Sequence, residues 1–121
     1  MRITAAELKV MEVLWDHAPQ GSAEVAAALR AEGWSDRTVK TLLSRLTEKG
    51  ALATSQEGRR YLYSPQIARE AHRRDAVGSL AGRLFGGRAA PMVAHLADSQ
   101  GLTDEDLDEL EALVRSLRND T

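Results

Sequence analysis

The sequence contains no cysteine, and this absence excludes several kinds of protein. A disulfide framework, a thiolate nucleophile and a cysteine-based metal site are all ruled out. The longest apolar runs are far shorter than the about 18 residues that a membrane span needs. Because Met1-Arg2 leads straight into a predicted helix rather than a signal peptide, we expect a cytoplasmic protein without membrane insertion.

The patterns that carry enzyme chemistry are also missing. The three histidines, His17, His72 and His95, do not share the helical spacing of metal ligands. No glycine-rich phosphate loop joins a strand to a helix. Carboxylates between residues 104 and 111 cover successive helical turns without converging, which favours a solvated helix face. We therefore expect no enzyme activity, no cofactor and no metal.

The net charge of −2 hides an uneven distribution along the chain. Residues 1–65 carry nine Lys/Arg and eight Asp/Glu, residues 66–97 carry five and two, and residues 98–121 carry two and eight. The three segments therefore have net charges of +1, +3 and −6. Because the acidic segment cannot lie against phosphate, any DNA-binding surface is expected in the first part of the chain.

The segment from Trp34 to Gly50 predicts a helix with two different faces. Ser35 is placed to cap its start, and Gly50 stands where a helix ends. Apolar residues at i, i+3, i+4 and i+7 form one stripe, which is expected to be buried: Val39, Leu42, Leu43 and Leu46.

The other face of this helix is short, polar and cationic over its first two turns. Such a face is typical of a helix that enters the major groove of DNA. We predict six DNA-contacting residues on this helix: Arg37, Thr38, Lys40, Thr41, Ser44 and Arg45. The alternative is an ordinary amphipathic helix with a solvated polar face.

Two helices are predicted before this one. Thr4 and Glu7 fit a capping box at the start of a helix that runs to about His17. Ser22 is placed to cap a second helix that ends near Gly33. The second helix, a tight turn and the cationic third helix have the layout of a helix-turn-helix.

A hairpin is predicted directly after the cationic helix. Residues 52–54 and 61–64 favour strands, and turn-forming residues separate them. Arg59 and Arg60 lie at the hairpin tip, where we expect them to contact phosphate, although solvated hairpin charges are the alternative. Three helices followed by a two-stranded wing predict a winged-helix DNA-binding domain over residues 1–65.

Residues 66–121 predict a helical region. Residues 66–85 favour one helix, Pro91 can start a short second one, and Thr103 is placed to cap the last. The last helix carries apolar residues at a spacing near 3.5, which is typical of paired helices. A helical tail of about fifty residues buries little surface alone, so we expect a symmetric homodimer through this region.

The predicted dimer contacts are apolar residues of the first and last helices of this region. They are Leu80, Leu84, Phe85, Leu107, Leu110, Leu113, Val114 and Leu117. The alternative is that the last helix folds back onto the winged helix.

Short motifs occur in a fixed order along nearly the whole chain. They are Glu12–Trp15, Trp34, Thr38–Leu46, Lys49–Leu52, Glu57–Arg59, Tyr61, Tyr63–Pro65 and Leu84–Gly87. In these motifs the chain resembles the penicillinase repressors, the BlaI/MecI/CopY group. The resemblance implies a winged-helix transcriptional repressor that binds an inverted-repeat operator in double-stranded DNA as a homodimer.

The resemblance also bears on the inducing signal. Copper-responsive members carry a C-terminal cysteine motif, so copper sensing of that kind is excluded here. Antibiotic-responsive members are inactivated when a membrane sensor's protease signal leads to cleavage of an Asn-Phe bond. His95 and Leu96 stand in that place and are the candidate site of proteolytic inactivation, with such a sensor pathway as candidate partner.

Two other functions stay open at this point. A winged helix can bind only protein, as part of a larger assembly. It can also be a regulator with a small-molecule pocket between wing and tail, although the sequence offers no convergent polar set for one.

Overall fold

The computed structural model of the protein describes residues 2–120. Within that range the chain forms six α-helices, a 3-10 turn and three short strands. In chain order they are α1 Ala5–Asp16, β1 Gln20–Gly21, α2 Ser22–Ala28, the 3-10 turn Arg30–Glu32, α3 Asp36–Glu48, β2 Leu52–Glu57, β3 Arg60–Pro65, α4 Arg69–Phe85, α5 Ala89–Ser99 and α6 Asp104–Asn119. The predicted fold class, mostly helical with a small β-hairpin, is confirmed.

The chain divides into two compact units, and the first of them extends to Arg74. Its core is built from buried apolar side chains of α1, α2, α3 and the segment that enters β2. These are Val10, Met11, Leu14, Val25, Leu29, Val39, Leu42, Leu43, Leu46, Ala51 and Leu52. Since this core includes the whole apolar stripe predicted for α3, the opposite face of α3 is left to solvent.

The two ends of α3 are formed by the predicted residues, Ser35 at its start and Gly50 at its end. The Ser35 hydroxyl accepts the backbone N–H of Thr38 at 3.1 Å. At the other end Gly50 adopts a φ of +83°, which a glycine adopts without steric cost. The N–H groups of Gly50 and Ala51 then donate to the carbonyls of Thr47 and Leu46, at 3.1 and 2.9 Å. This is the Schellman arrangement, and it satisfies carbonyls that the helix end would otherwise leave free.

The start of α1 carries the predicted capping box. The Thr4 hydroxyl accepts the N–H of Glu7 at 3.2 Å, and the Glu7 carboxylate accepts the N–H of Thr4 at 2.9 Å. The start of α2 differs from the prediction, because Gly21 and not Ser22 is the capping residue. The Gly21 N–H donates to Oε2 of Glu24 at 3.4 Å.

The sheet has three antiparallel strands in the order β1-β3-β2 rather than the two predicted. In β1, Gln20 and Gly21 pair with Tyr63 and Leu62. The sequence predicted only the two strands of the hairpin; the third forms because the extended backbone leading into α2 runs beside β3 and pairs with it. The sheet therefore ties the wing to the start of α2.

The beginning of α4 belongs to the first unit. Nε1 of Trp15 donates to the carbonyl of Ile67 at 2.9 Å, and Nη2 of Arg69 lies 2.9 Å from Glu12 and 2.6 Å from Asp16. The Arg69 guanidinium also lies 5.6 Å from the Trp15 ring centroid, within reach of a cation–π interaction. The α4 helix begins at Arg69 rather than at the predicted residue 66, and residues 66–68 form the link that carries the Ile67 contact.

The second unit begins at Asp75 and contains the rest of α4 with α5 and α6. The α5 helix begins at Ala89, so Pro91 lies in its first turn rather than at its start. The predicted capping pair at the start of α6 is present, since Thr103 and Asp106 exchange hydrogen bonds of 3.1 and 3.0 Å. Between residues 2 and 120, no helix is both long and apolar enough to cross a membrane.

Candidate nucleic-acid interface

The solvent-facing side of α3 presents the predicted set of polar residues together. All six are exposed: Arg37, Thr38, Lys40, Thr41, Ser44 and Arg45. Since an α-helix repeats every 3.6 residues, side chains at positions 37, 41 and 44 lie along one face, with those at 40 and 45 on its flanks. This face belongs to a single α-helix, and the major groove of B-DNA is wide enough to admit an α-helix.

Local hydrogen bonds orient two of these side chains. The hydroxyl of Thr38 lies 3.1 Å from that of Ser35 at the helix start. The hydroxyl of Thr41 donates to the carbonyl of Arg37 at 3.0 Å. With its proton used in this way, the Thr41 oxygen keeps only acceptor capacity toward a ligand.

The cations of the first unit fall into two groups. Lys9, Lys49, Arg60 and Arg69 are held in ion pairs with carboxylates of other elements. The other eight form no ion pair within the described part of the chain: Arg2, Arg30, Arg37, Lys40, Arg45, Arg59, Arg73 and Arg74. Four of these eight, Arg37, Lys40, Arg45 and Arg59, belong to the exposed face of α3 and the hairpin tip. Positive charge is therefore available where the sequence predicted DNA contact.

The two wing arginines have different surroundings. Arg59 belongs to a two-residue loop, whose first residue, Gly58, has a φ of +63°. Arg60 is the first residue of β3, and its guanidinium forms an ion pair with Glu24 of α2. The sequence prediction treated both arginines alike, because nothing in the local pattern placed a carboxylate of α2 beside the wing.

Comparison with known proteins settles the family. A family model described as penicillinase repressor matches residues 3–116. The chain belongs to the penicillinase repressor family. The resemblance read from its motifs is thus confirmed, and so is the expectation that it is not an enzyme, because the family consists of transcriptional repressors.

Relatives of the penicillinase repressor family cover nearly the whole chain. The penicillinase repressor of Bacillus licheniformis is 33% identical over 119 residues, which are 98% of this chain and 93% of the relative. The solution structure of the DNA-binding domain of the repressor BlaI covers 56% of this chain and 84% of that domain, with 42% identity and a TM-score of 0.53.

A second solved structure contains DNA. It is the monomeric form of BlaI from Bacillus licheniformis in complex with the blaP half-operator. It covers 58% of this chain and 87% of the solved chain, with 41% identity and a TM-score of 0.51. These two structures show that the first unit has the fold of a winged-helix repressor domain.

The residues predicted for dimerisation lie on the second unit and are mostly exposed. Leu84, Leu113 and Leu117 expose 65%, 53% and 58% of their surface, and Leu80, Leu107 and Val114 are also exposed. Phe85 and Leu110 are half-buried. Apart from Phe85 and Leu110, these side chains are left largely uncovered by the rest of residues 2–120.

One groove on the surface of the first unit is apolar and open. An open groove of 510 Å³ lies beside Trp15 and Ile67 on the first unit, and no charged residue lines it. Among the described residues, no group of three or more His, Asp and Glu is placed to hold a metal ion.

Proposed function

We propose that the protein is a transcriptional repressor that binds double-stranded operator DNA through α3 and the wing. The observation that carries this proposal is the unpaired cationic face of α3 in a chain whose 41%-identical relative was solved on a half-operator. Because operator DNA lies in the cytoplasm of a bacterial cell, we place the protein there.

In this proposal α3 reads the major groove. Arg37 and Lys40 donate to base edges or nearby phosphates, and a bidentate arginine on guanine is worth about 1–3 kcal/mol of discrimination. Thr41 and Ser44 lie on the same face and add short-range contacts. Thr38, at the first turn, and Arg45, on the flank, contact the backbone and hold the helix in register.

The wing supplies a further phosphate contact through Arg59. The loop that carries Arg59 projects beyond the sheet, and its guanidinium has no partner within the described range of residues. Such a contact raises affinity for every DNA sequence equally, since phosphate carries no sequence information. Arg60, whose guanidinium is already paired with Glu24, is left out of this set.

We further propose that two chains bind an inverted-repeat operator as a homodimer. One recognition helix covers half a site, and a two-fold dimer places two such helices about one DNA turn or a multiple of it apart. The apolar stripe of the second unit is the proposed dimer contact. Fully burying an exposed leucine is worth roughly 1.5–3 kcal/mol, so a stripe of this length offers enough apolar surface for a stable pair.

We also propose that repression is relieved by proteolysis within α5. His95 and Leu96 are exposed near the middle of α5. The carbonyl of Leu96 accepts the N–H of Gln100 at 2.9 Å, so the His95–Leu96 peptide bond lies within a regular helix. Since a protease needs an extended substrate, cleavage there requires α5 to open locally. Mass spectrometry of the protein from induced cells should find a fragment that ends at His95, and an intact chain in fully induced cells would exclude this step.

A gel-shift experiment tests the proposed function. The purified protein is titrated against the DNA upstream of its own gene and against a shuffled fragment of equal length and composition, at several salt concentrations. We expect a shift of the upstream fragment at lower protein concentration, and log K falling linearly with log salt. Absence of any salt-dependent shift would favour the other candidate, a winged helix that binds only protein.

A further inference from the structure

The contact between Arg60 and Glu24 links two elements that are 36 residues apart in sequence. Arg60 opens β3 in the wing, and Glu24 lies in the first turn of α2. Oε1 of Glu24 pairs with the Arg60 guanidinium, and Oε2 accepts the N–H of Gly21. The carboxylate is therefore held from two sides and cannot turn away from Arg60 without losing its backbone hydrogen bond.

Gly21 lies next to the Arg60–Glu24 pair, and its lack of a side chain leaves room for the guanidinium. A Cβ atom at Gly21 would lie 2.7 Å from Nη2 of Arg60 and 3.3 Å from Oε1 of Glu24. Any larger residue would push the guanidinium out of its present place. Because β1 pairs with β3 at Gly21 and Leu62, the same register that closes the three-stranded sheet brings Arg60 over α2. Three features thus converge: the strand register, the missing side chain and the fixed carboxylate.

We propose that Glu24 is a determinant of DNA affinity, because it holds Arg60 in an internal ion pair and leaves Arg59 as the wing's phosphate-binding cation. The paired guanidinium is neutralised at short range, so it releases no counterion from DNA. An approaching phosphate also meets the Glu24 carboxylate. The inference rests on the proposed function, since it concerns affinity for DNA.

The other carboxylate close to Arg60 in the wing, that of Glu57, does not neutralise the Arg60 guanidinium. Glu57 is opposite Arg60 in the strand register, yet no ion pair of Glu57 is present in the described part of the chain. Both members of the Arg60–Glu24 pair are about half exposed, at 56% and 47%. An ion pair this exposed adds little to folding stability, so its removal should change DNA binding far more than folding.

The test is a set of salt titrations with the upstream DNA, comparing wild type with Glu24→Gln, Arg60→Gln, the double variant and Arg59→Gln. Each phosphate contact changes the slope of log K against log salt by about 0.9. We expect Glu24→Gln to steepen the slope by about 0.9 per protomer and to bind about eightfold more tightly at 0.1 M salt. The glutamine can still accept the Gly21 N–H, so the start of α2 is kept.

The remaining variants show whether this gain belongs to Arg60. In the double variant the slope should return to that of Arg60→Gln, while Glu57→Gln, the matched control, should not steepen the slope. Arg59→Gln should flatten the slope by about 0.9, and Arg60→Gln by much less.

Two results would overturn the inference. One is a loss of about 0.9 in slope for Arg60→Gln alone, which would place Arg60 on phosphate already. The other is a Glu24→Gln gain that survives in the double variant, which would be a general effect of removing negative charge. If wild-type protein shows no salt-dependent binding at all, the proposed function itself has failed.

Discussion

Nζ of Lys49, at the end of α3, lies 2.5 Å from Oε1 of Glu7 in α1, although 42 residues separate them. Glu7 exposes only 2% of its surface, and the same ammonium group also donates to the carbonyl of Arg2 at 2.8 Å. The cation lies at the C-terminus of α3, where the helix dipole favours positive charge. This contact joins the proposed recognition helix to the first helix of the unit.

The Glu7 ion pair predicts how stability responds to acid. Burial alone would raise the pKa of Glu7, but hydrogen bonds from Lys49 and Thr4 outweigh it, and the pKa lies below its ordinary value. Because the folded state then binds the proton more weakly than the unfolded chain, this stabilisation is present above the ordinary carboxyl pKa. It is lost as pH falls through the lowered pKa, so urea unfolding from about pH 5 to pH 3 should show a loss that Glu7→Gln reduces.

Removing the Lys49 cation should weaken the dependence of stability on pH. In Lys49→Met the hydrogen bond and the charge of Lys49 are lost while the hydrogen bond from the Thr4 N–H remains, so the pKa of Glu7 rises toward or above its ordinary value and less stability is lost in acid. At pH 7 we expect a loss of about 1–3 kcal/mol from the unpaired buried carboxylate. Glu105→Gln, on the exposed side of α6, is the control. A pH profile for Lys49→Met that parallels wild type would contradict the assignment.

The junction around Trp15 predicts where the first unit can be cut. The indole N–H donates to the carbonyl of Ile67, and Arg69 pairs with Glu12 and Asp16. A fragment ending at Arg74 should therefore melt several degrees above one ending at Pro65, since 1 kcal/mol shifts the midpoint of a small domain by about 4–8 °C. Circular dichroism melts of both fragments measure this, and equal midpoints would show that the junction adds no stability.

Substitutions in α3 should change sequence preference, whereas substitutions in the wing should change only the overall affinity for DNA. Arg37→Ala should reduce the preference for upstream over shuffled DNA by about 1–3 kcal/mol, if it reads a base. Arg59→Gln should weaken both DNAs by the same factor, because phosphate contacts are independent of sequence. Competition binding at one salt concentration distinguishes them. An altered preference in Arg59→Gln would assign sequence reading to the wing.

The apolar stripe of α6 predicts a dimer that one charge can break. In Leu110→Asp the carboxylate would have to be buried between two chains, which costs far more than leaving it in water. Sedimentation should find monomers, with operator affinity reduced and the melting of the first unit unchanged. Ser116→Asp, outside the stripe on the same helix, should remain dimeric. A dimeric Leu110→Asp protein would place the contact elsewhere.

Local patterns in the sequence predicted the features that are themselves local. The caps at Thr4, Ser35 and Thr103 are present where the sequence placed them. The buried stripe of α3 also follows from spacing alone, because residues three and four apart share a helix face. Cap and stripe each depend on residues within about two helical turns, so their geometry needs no knowledge of the rest of the fold.

Contacts between segments distant in sequence could not be predicted from local patterns. Gln20 and Gly21 look like part of a turn, and only the course of β3 more than forty residues later makes them a strand. The same limit applies to Arg60, which was predicted at the hairpin tip but is the first residue of β3, and whose partner Glu24 was not predicted. Side-chain pairing across elements depends on register and on small residues such as Gly21, which no single periodicity encodes.

The most direct test of the central claim is a hydroxyl-radical footprint of the protein on the DNA upstream of its gene. If two chains each place one α3 in the major groove, the footprint should contain two protected half-sites of inverted sequence. Their centres should be about 10 base pairs or a multiple of it apart, and Leu110→Asp should weaken both together. A single asymmetric protected segment that Leu110→Asp leaves unchanged would contradict the account.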